Sequence, residues 1–249
     1  MSIIRNKGNS MLSKKIVFVI CIILLTFVSA MWAPAQLWAG DTSVFVDLGF
    51  SPDGRMYMFG QYGVLSPSLR PWANLYVVDV GRNNFVPNGR VTFTQDSPIR
   101  AGQDGSGIFH RLVADHSSLS SRHGINFQNQ GLPLYISRNA NPPPRGERIE
   151  FRDFISGKSF RAQLIPTITG SGQNVSSRFH IDLEVTLPNG QIRTYTVGTP
   201  NFVRQRISQY NFKRVIIDPS GSSLIFVIEM RRVAAHGHDI RYMVEAVRL

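Results

Sequence analysis

The sequence predicts a mainly β protein, with antiparallel sheets in a propeller-like or sandwich arrangement and one helix near residues 107–123. Three observations carry this. Apolar residues alternate with a period of two along most of the chain, and clusters of Pro, Asn, Asp, Ser and Gly divide the alternating runs. The third is that no cysteine occurs after residue 39, so stability has to come from an ordinary apolar core rather than from disulfides.

Residues 1–39 read as an export leader. Arg5, Lys7, Lys14 and Lys15, with no acid among them, precede an apolar run from Ile16 to Phe27, and small residues follow. That order is the secretory signal pattern. Cleavage fits after Ala39 and, as the alternative, after Ala30, and translation can start at Met1 or Met11. Cys21 follows Ile20, where a lipid-anchoring signal needs a small residue. A retained leader would instead act as a membrane tether, since Ile16–Trp32 is near the lower length of a span.

Loss of the leader lowers the formal charge from +11 to +7 and leaves Lys158 and Lys213 as the only lysines among many arginines. The arginines are scattered rather than clustered, which argues against nucleic acid and fits a basic solvated face with a bias toward anionic surfaces.

Ten strands are expected: Ser43–Phe50, Met56–Phe59, Asn74–Val80, Arg148–Phe154, Ser159–Ile168, Phe179–Leu187, Ile192–Val197, Val215–Ile217, Leu224–Met230 and Ile240–Leu249. The stretch Gly107–His123 breaks the alternation, with Ile108, Phe109, Leu112, Val113 and Leu119 at helical spacing. Asp104 or Ser106 is placed to cap its start and Gly124 its end. Pro87-Asn88-Gly89 and Pro188-Asn189-Gly190 read as tight turns. The proline-rich run at 139–146 is a stiff connector and a possible internal boundary in an otherwise single domain over 40–249.

The two ends of the mature chain align without a gap. Phe50-Ser51-Pro52-Asp53-Gly54 with Phe59 matches Ile217-Asp218-Pro219-Ser220-Gly221 with Phe226, and Tyr76–Val80 corresponds to Tyr242–Ala246. The pattern resembles the blade repeat of TolB and WD40-like propellers, which implies strand, tight turn, strand, loop, strand in each copy.

A closer resemblance rests on Ala39-Gly40-Asp41, Leu48–Gly54, Phe59, Tyr62-Gly63 and Leu75–Asp79. These look like the start of a family of predicted secreted bacterial proteins of unknown function, in which Ala-Gly-Asp follows the leader. The resemblance spans residues 39–80 closely and the helix and last hairpin more loosely. It implies export with cleavage after Ala39, and a shared fold, but no catalytic residue.

His236, His238 and Asp239 are the candidate metal ligands, since two imidazoles and a carboxylate within four positions are chemically able to share an ion. They also fall where a hairpin has to turn. His110, His116 and His123 lie on the expected helix at spacings that do not make a zinc-protease pair. Trp72, Tyr62 and Tyr76 form a candidate contact surface. The reading is an exported periplasmic or extracellular binding or scaffold module, without a cofactor, whose partner is a protein or an envelope component. The alternatives are a hydrolase using His236, His238 and Asp239, and a membrane-tethered assembly factor if the leader stays.

Overall fold

The computed structural model describes residues 40–100, 102–138, 146–235 and 237–249. The leader, both cleavage positions and nearly all of the proline-rich connector lie outside the described residues. Strands dominate, and all sheets are antiparallel. The first sheet is a meander of β1 (Val44–Phe50), β2 (Met56–Leu65), β3 (Arg70–Asp79) and β4 (Asn84–Thr94). Two short helices follow, α1 (Ser106–Asp115) and α2 (Ser117–Arg122), and then β5 (Leu132–Ile136).

The second sheet contains β6 (Arg148–Arg152), β7 (Ser159–Thr169), β8 (Ser176–Thr186), β9 (Ile192–Val197) and β10 (Arg204–Gln205), with β9 and β10 both lying along β8. The third joins β11 (Ile207–Ile217), β12 (Ser223–Ala234) and β13 (Gly237–Arg248) to β5, in the order β13-β12-β11-β5.

The three sheets stack in layers. Phe50, Tyr57, Phe59 and Val78 of the first sheet pack on Ile216, Ile225, Val227 and Val244 of the third. The opposite face of the third sheet, with Phe212, Val215, Leu224, Phe226 and Ile228, packs on Phe160, Leu164, Phe179, Ile181 and Leu183 of the second. The third sheet is thus covered on both faces, which explains why β12 opens with an unbroken buried run from Ser223 to Ile228 rather than an alternation. In contrast, β8 alternates buried and accessible residues because only one face of its sheet meets the core. This arrangement is a sandwich of layers, and the core clusters pair neighbouring sheets without closing a ring.

The helices cover the outer face of the first sheet, where Phe109, Leu112 and Leu119 bury against Leu48, Met58, Ala73, Leu75 and Val77. Gly60 permits this approach: a Cβ there would lie 2.3 Å from the Phe109 ring. The single helix expected at 107–123 is broken in two at His116, whose φ of −111° leaves the helical range. Asp104 does organise the start, since its carboxylate accepts the Ser106 amide at 3.0 Å, while Gly124, at φ 64°, ends the second piece as expected.

Several strands are longer than their alternation suggests, and β4, β5 and β10 are additional. β4 was hidden by Pro87-Asn88-Gly89. Those residues form a bulge inside one strand, with Asn88 at φ 56° and the register against β3 jumping between Tyr76 and Val78. The same tripeptide at 188–190 makes a true turn, closed by the Gly190 amide on the Leu187 carbonyl at 2.9 Å.

The first described residues are built into the sheet edge. Thr42 bridges Ile240 in parallel, the Ser43 amide donates to the Ile240 carbonyl at 3.2 Å, and the Ile240 amide to the Asp41 carbonyl at 2.7 Å. Gly40 lies so close to β13 that a Cβ would fall 2.0 Å from the His238 carbonyl oxygen. Further along, Asn83 covers the edge of β13 by accepting the Ala246 amide at 2.7 Å and donating to Glu245 at 2.5 Å.

Candidate functional site

One end of the stack collects turns from every layer. The β1–β2 turn places Gly54 so near the β11–β12 turn that a Cβ on it would lie 2.6 Å from the Asp218 carboxylate. These two turns are the segments aligned in the sequence, and they share hydrogen bonds. Ser51 N–H donates to Met56 O at 2.9 Å where Asp218 N–H donates to Ser223 O at 3.0 Å, and Gly54 and Gly221 each close back on the first turn residue. Both glycines are left-handed, at φ 65° and 69°, which is the reason for glycine at each.

Between the β11–β12 turn, the β6–β7 turn and the segment 128–132 lies a cleft of about 560 Å³, lined by Asn129, Leu132, Ile155, Ser156, Pro219 and Ser220 among others. Its walls are fixed by two carboxylates. Asp218 accepts the Ser222 amide at 2.7 Å and the Ser223 amide at 2.6 Å, together with the Ser220 hydroxyl. Asp153 accepts the Ile155 amide at 2.9 Å, the Ser156 amide at 3.2 Å and the Ser156 hydroxyl. Burial raises the Asp153 carboxyl, but the hydrogen bonds from Ser156 and Ile155 outweigh it and hold the group below the ordinary carboxylate range.

Both carboxylates line the cleft while bonded to amides and hydroxyls of their own turns, beside backbone, hydroxyl, amide and apolar groups. On the rim, Phe154 is 86% exposed and Ile155 85% exposed. A second cleft, about 450 Å³, lies on the outer face of the second sheet, where Arg161 already pairs with Glu150 and Glu184.

The residues singled out in the sequence fall elsewhere. His236 lies outside the described residues; His238 is exposed opposite Val233, and Asp239 accepts the Asp41 amide at 3.1 Å and sits 3.8 Å from Arg241. Among the described residues no cluster of three His, Cys, Asp or Glu is arranged to hold a metal ion.

Trp72, Tyr62 and Tyr76 do not share a face. Trp72 is buried, its indole N–H donating to Asp41 at 2.8 Å, and Tyr76 stacks on Phe59 of the neighbouring strand, both on the face turned to the third sheet, while Tyr62 packs on Phe109 under the helices. The helix histidines also stay apart, His116 bonding the carbonyl of Leu112 at 3.1 Å. Sequence reasoning found the turns at 51–54 and 218–221 but missed the cleft, because Ile155 and Leu132 enter it only through the stacking of separate sheets. The signal available was Phe154-Ile155 itself, two large apolar residues inside a turn.

A family model described as predicted secreted protein (DUF2259) matches residues 58–248. The chain belongs to this family. No curated protein and no solved structure matches it significantly. The match runs from within β2 to the end of β13 and so takes in strands of all three sheets and the aligned turn at 218–221, while the one at 51–54 lies just before it. Among the described residues no helix is long and apolar enough to cross a membrane.

Proposed function

We propose that this family member is an extracytoplasmic binding module that holds a component of the cell envelope at the turn-rich end of its β stack. The observation that supports this most is the 560 Å³ cleft, whose carboxylates are committed to their own turns and whose rim carries accessible apolar side chains. A rigid framework with loops gathered at one end is the usual way a sheet protein recognises a partner. The aligned turns contribute two of those loops, so the internal similarity of the chain serves the site whether or not it descends from a blade repeat.

Cleavage after Ala39 belongs to the same reading. Gly40 and Asp41 are already seated along β13, so this cut keeps the seated residues and removes the rest, whereas a cut after Ala30 would leave residues 31–39 attached. Sequencing of the exported protein from its amino end is expected to begin at Gly40.

Photo-crosslinking in living cells tests the binding role. A photoreactive residue at Gln128 or Leu132, on the cleft, should give a discrete crosslinked product, while one at Thr194, on the outer face of the second sheet, should not. Equal products at all positions, or none at the cleft, would overturn the proposal.

A further inference from the structure

We infer that the β6–β7 turn is a membrane-docking tip, and that the envelope component held at this end is a lipid surface carrying anionic headgroups. The inference rests on the binding-module reading and names its partner. Phe154 and Ile155 are adjacent, and at 86% and 85% exposed they are the two most accessible large apolar side chains among the described residues. Phe154 stands outside the cleft on its rim, and Ile155 reaches from the rim to the cleft wall while staying open to solvent. A convex apolar tip fits the soft interface of a bilayer better than the concave pocket of a protein partner.

The backbone behind the tip is prepared for a medium poor in water. Asp153 takes the Ile155 and Ser156 amides, the Gly157 amide donates to the Asp153 carbonyl at 2.9 Å, and the Asp153 amide to the Lys158 carbonyl at 3.0 Å. Gly157 supplies the left-handed residue, at φ 72°, that lets the turn close. Amide groups already satisfied within the turn can leave water without the penalty that an open loop would meet.

The charges flanking the tip are of the sign that lipid phosphates attract. Arg152 stands with its guanidinium carbon 5.8 Å from the Phe154 ring, and Lys158 holds its ammonium on the Gly221 carbonyl at 2.9 Å. Among the described residues neither is within ion-pair distance of a carboxylate. Arg248, opposite Ser223 at the same end, and Arg55, beside the β1–β2 turn, are exposed as well. The acids of the three turns, Asp53, Asp153 and Asp218, are each engaged by hydroxyls and amides of their own turn, and Asp79, at the end of β3 beside Arg55, lies 3.7 Å from the Arg82 guanidinium. Leu132, 43% exposed on the same cleft, extends the apolar area.

Co-sedimentation of the exported protein with vesicles tests this. It should bind vesicles of phosphatidylglycerol and phosphatidylethanolamine in equal parts, less so as salt rises, and bind phosphatidylcholine vesicles weakly. Replacing both Phe154→Ser and Ile155→Ser should lower binding to the anionic vesicles more than about tenfold without moving the unfolding midpoint. A Phe154→Trp variant should shift its fluorescence to the blue on binding. Equal binding by wild type and the double serine variant, or no binding to anionic vesicles, would overturn the inference. If vesicle binding fails while the crosslinks at Gln128 and Leu132 persist and depend on Phe154, a protein is the occupant and only the lipid assignment falls. If the crosslinks fail while vesicle binding holds, the cleft reading falls alone.

Discussion

The Asp41 carboxylate and the Arg241 guanidinium, 200 residues apart in the chain, meet at 2.6 Å, with the guanidinium lying 4.3 Å above the Trp72 ring. Asp41 is 4% exposed, and burial pushes its carboxyl above the ordinary value although Arg241 and the Trp72 N–H both favour the charged form. The pair fastens the first described residues to the last hairpin.

Removing one partner of such a pair leaves a buried charge without compensation. Arg241→Met is expected to destabilise the fold by about 3–5 kcal/mol in urea unfolding, and the double variant Asp41→Asn with Arg241→Met to recover part of that loss. Additive losses in the double-mutant cycle would show that the two side chains are not coupled.

The helix layer depends on Gly60. A methyl group there would stand 2.3 Å from the Phe109 ring and 2.9 Å from the Asn74 carbonyl oxygen. Gly60→Ala should cost about 1–3 kcal/mol by pushing the helix off the sheet, and Phe109→Leu in the same chain should return some of it. A neutral Gly60→Ala in thermal unfolding would contradict the close contact.

Asp47 gives a pH dependence. Burial lifts its carboxyl to about 6, against the opposing Gly49 amide, so the folded state holds this proton more tightly than the unfolded chain. Its contribution is therefore most favourable below the unfolded value and is lost as pH rises from about 4 to about 6. Asp47→Asn, which keeps an acceptor for Gly49, should be more stable than wild type at pH 7 by on the order of 2 kcal/mol and about equal at pH 4. A gap that widens on acidification would reverse the assignment.

Asp153 has the opposite sign. Its carboxyl is held low by the turn it closes, so that contribution is present at neutral pH and lost as pH falls through the ordinary carboxylate range. Asp153→Ala should cost about 1–3 kcal/mol and should also weaken binding to anionic vesicles. Charge alone predicts the reverse, because the substitution removes a negative group, so vesicle binding separates a preorganised tip from simple attraction.

Much of the fold was legible in the sequence, for local reasons. Alternation along β8 marks a sheet with one wet face, and Gly54 and Gly221 mark turns that need left-handed backbone. The missing pieces were those in which a distant contact overrides a local signal. His116 interrupts a run with helical spacing, and β5 has few apolar alternations but gains its place by pairing with β11. The cleft was invisible because its walls come from residues 128–132, 153–156 and 217–221, which no local pattern joins.

Pro-Asn-Gly occurs twice and draws the line between the two kinds of information. At 188–190 it is the turn that its residue chemistry prescribes, between two strands that pair with each other. At 87–89 the same residues bulge within β4, because β3 offers partners on both sides, Phe85 against Val78 and Arg90 against Tyr76. By itself the sequence determined the export pattern, the β class and the left-handed turn positions, since these depend on composition, side-chain period and backbone freedom. The tertiary structure alone decided the layer order, the seating of Asp41 on Arg241 and the apolar tip at the rim of a cleft, because each depends on which faces are left to meet once the strands have paired.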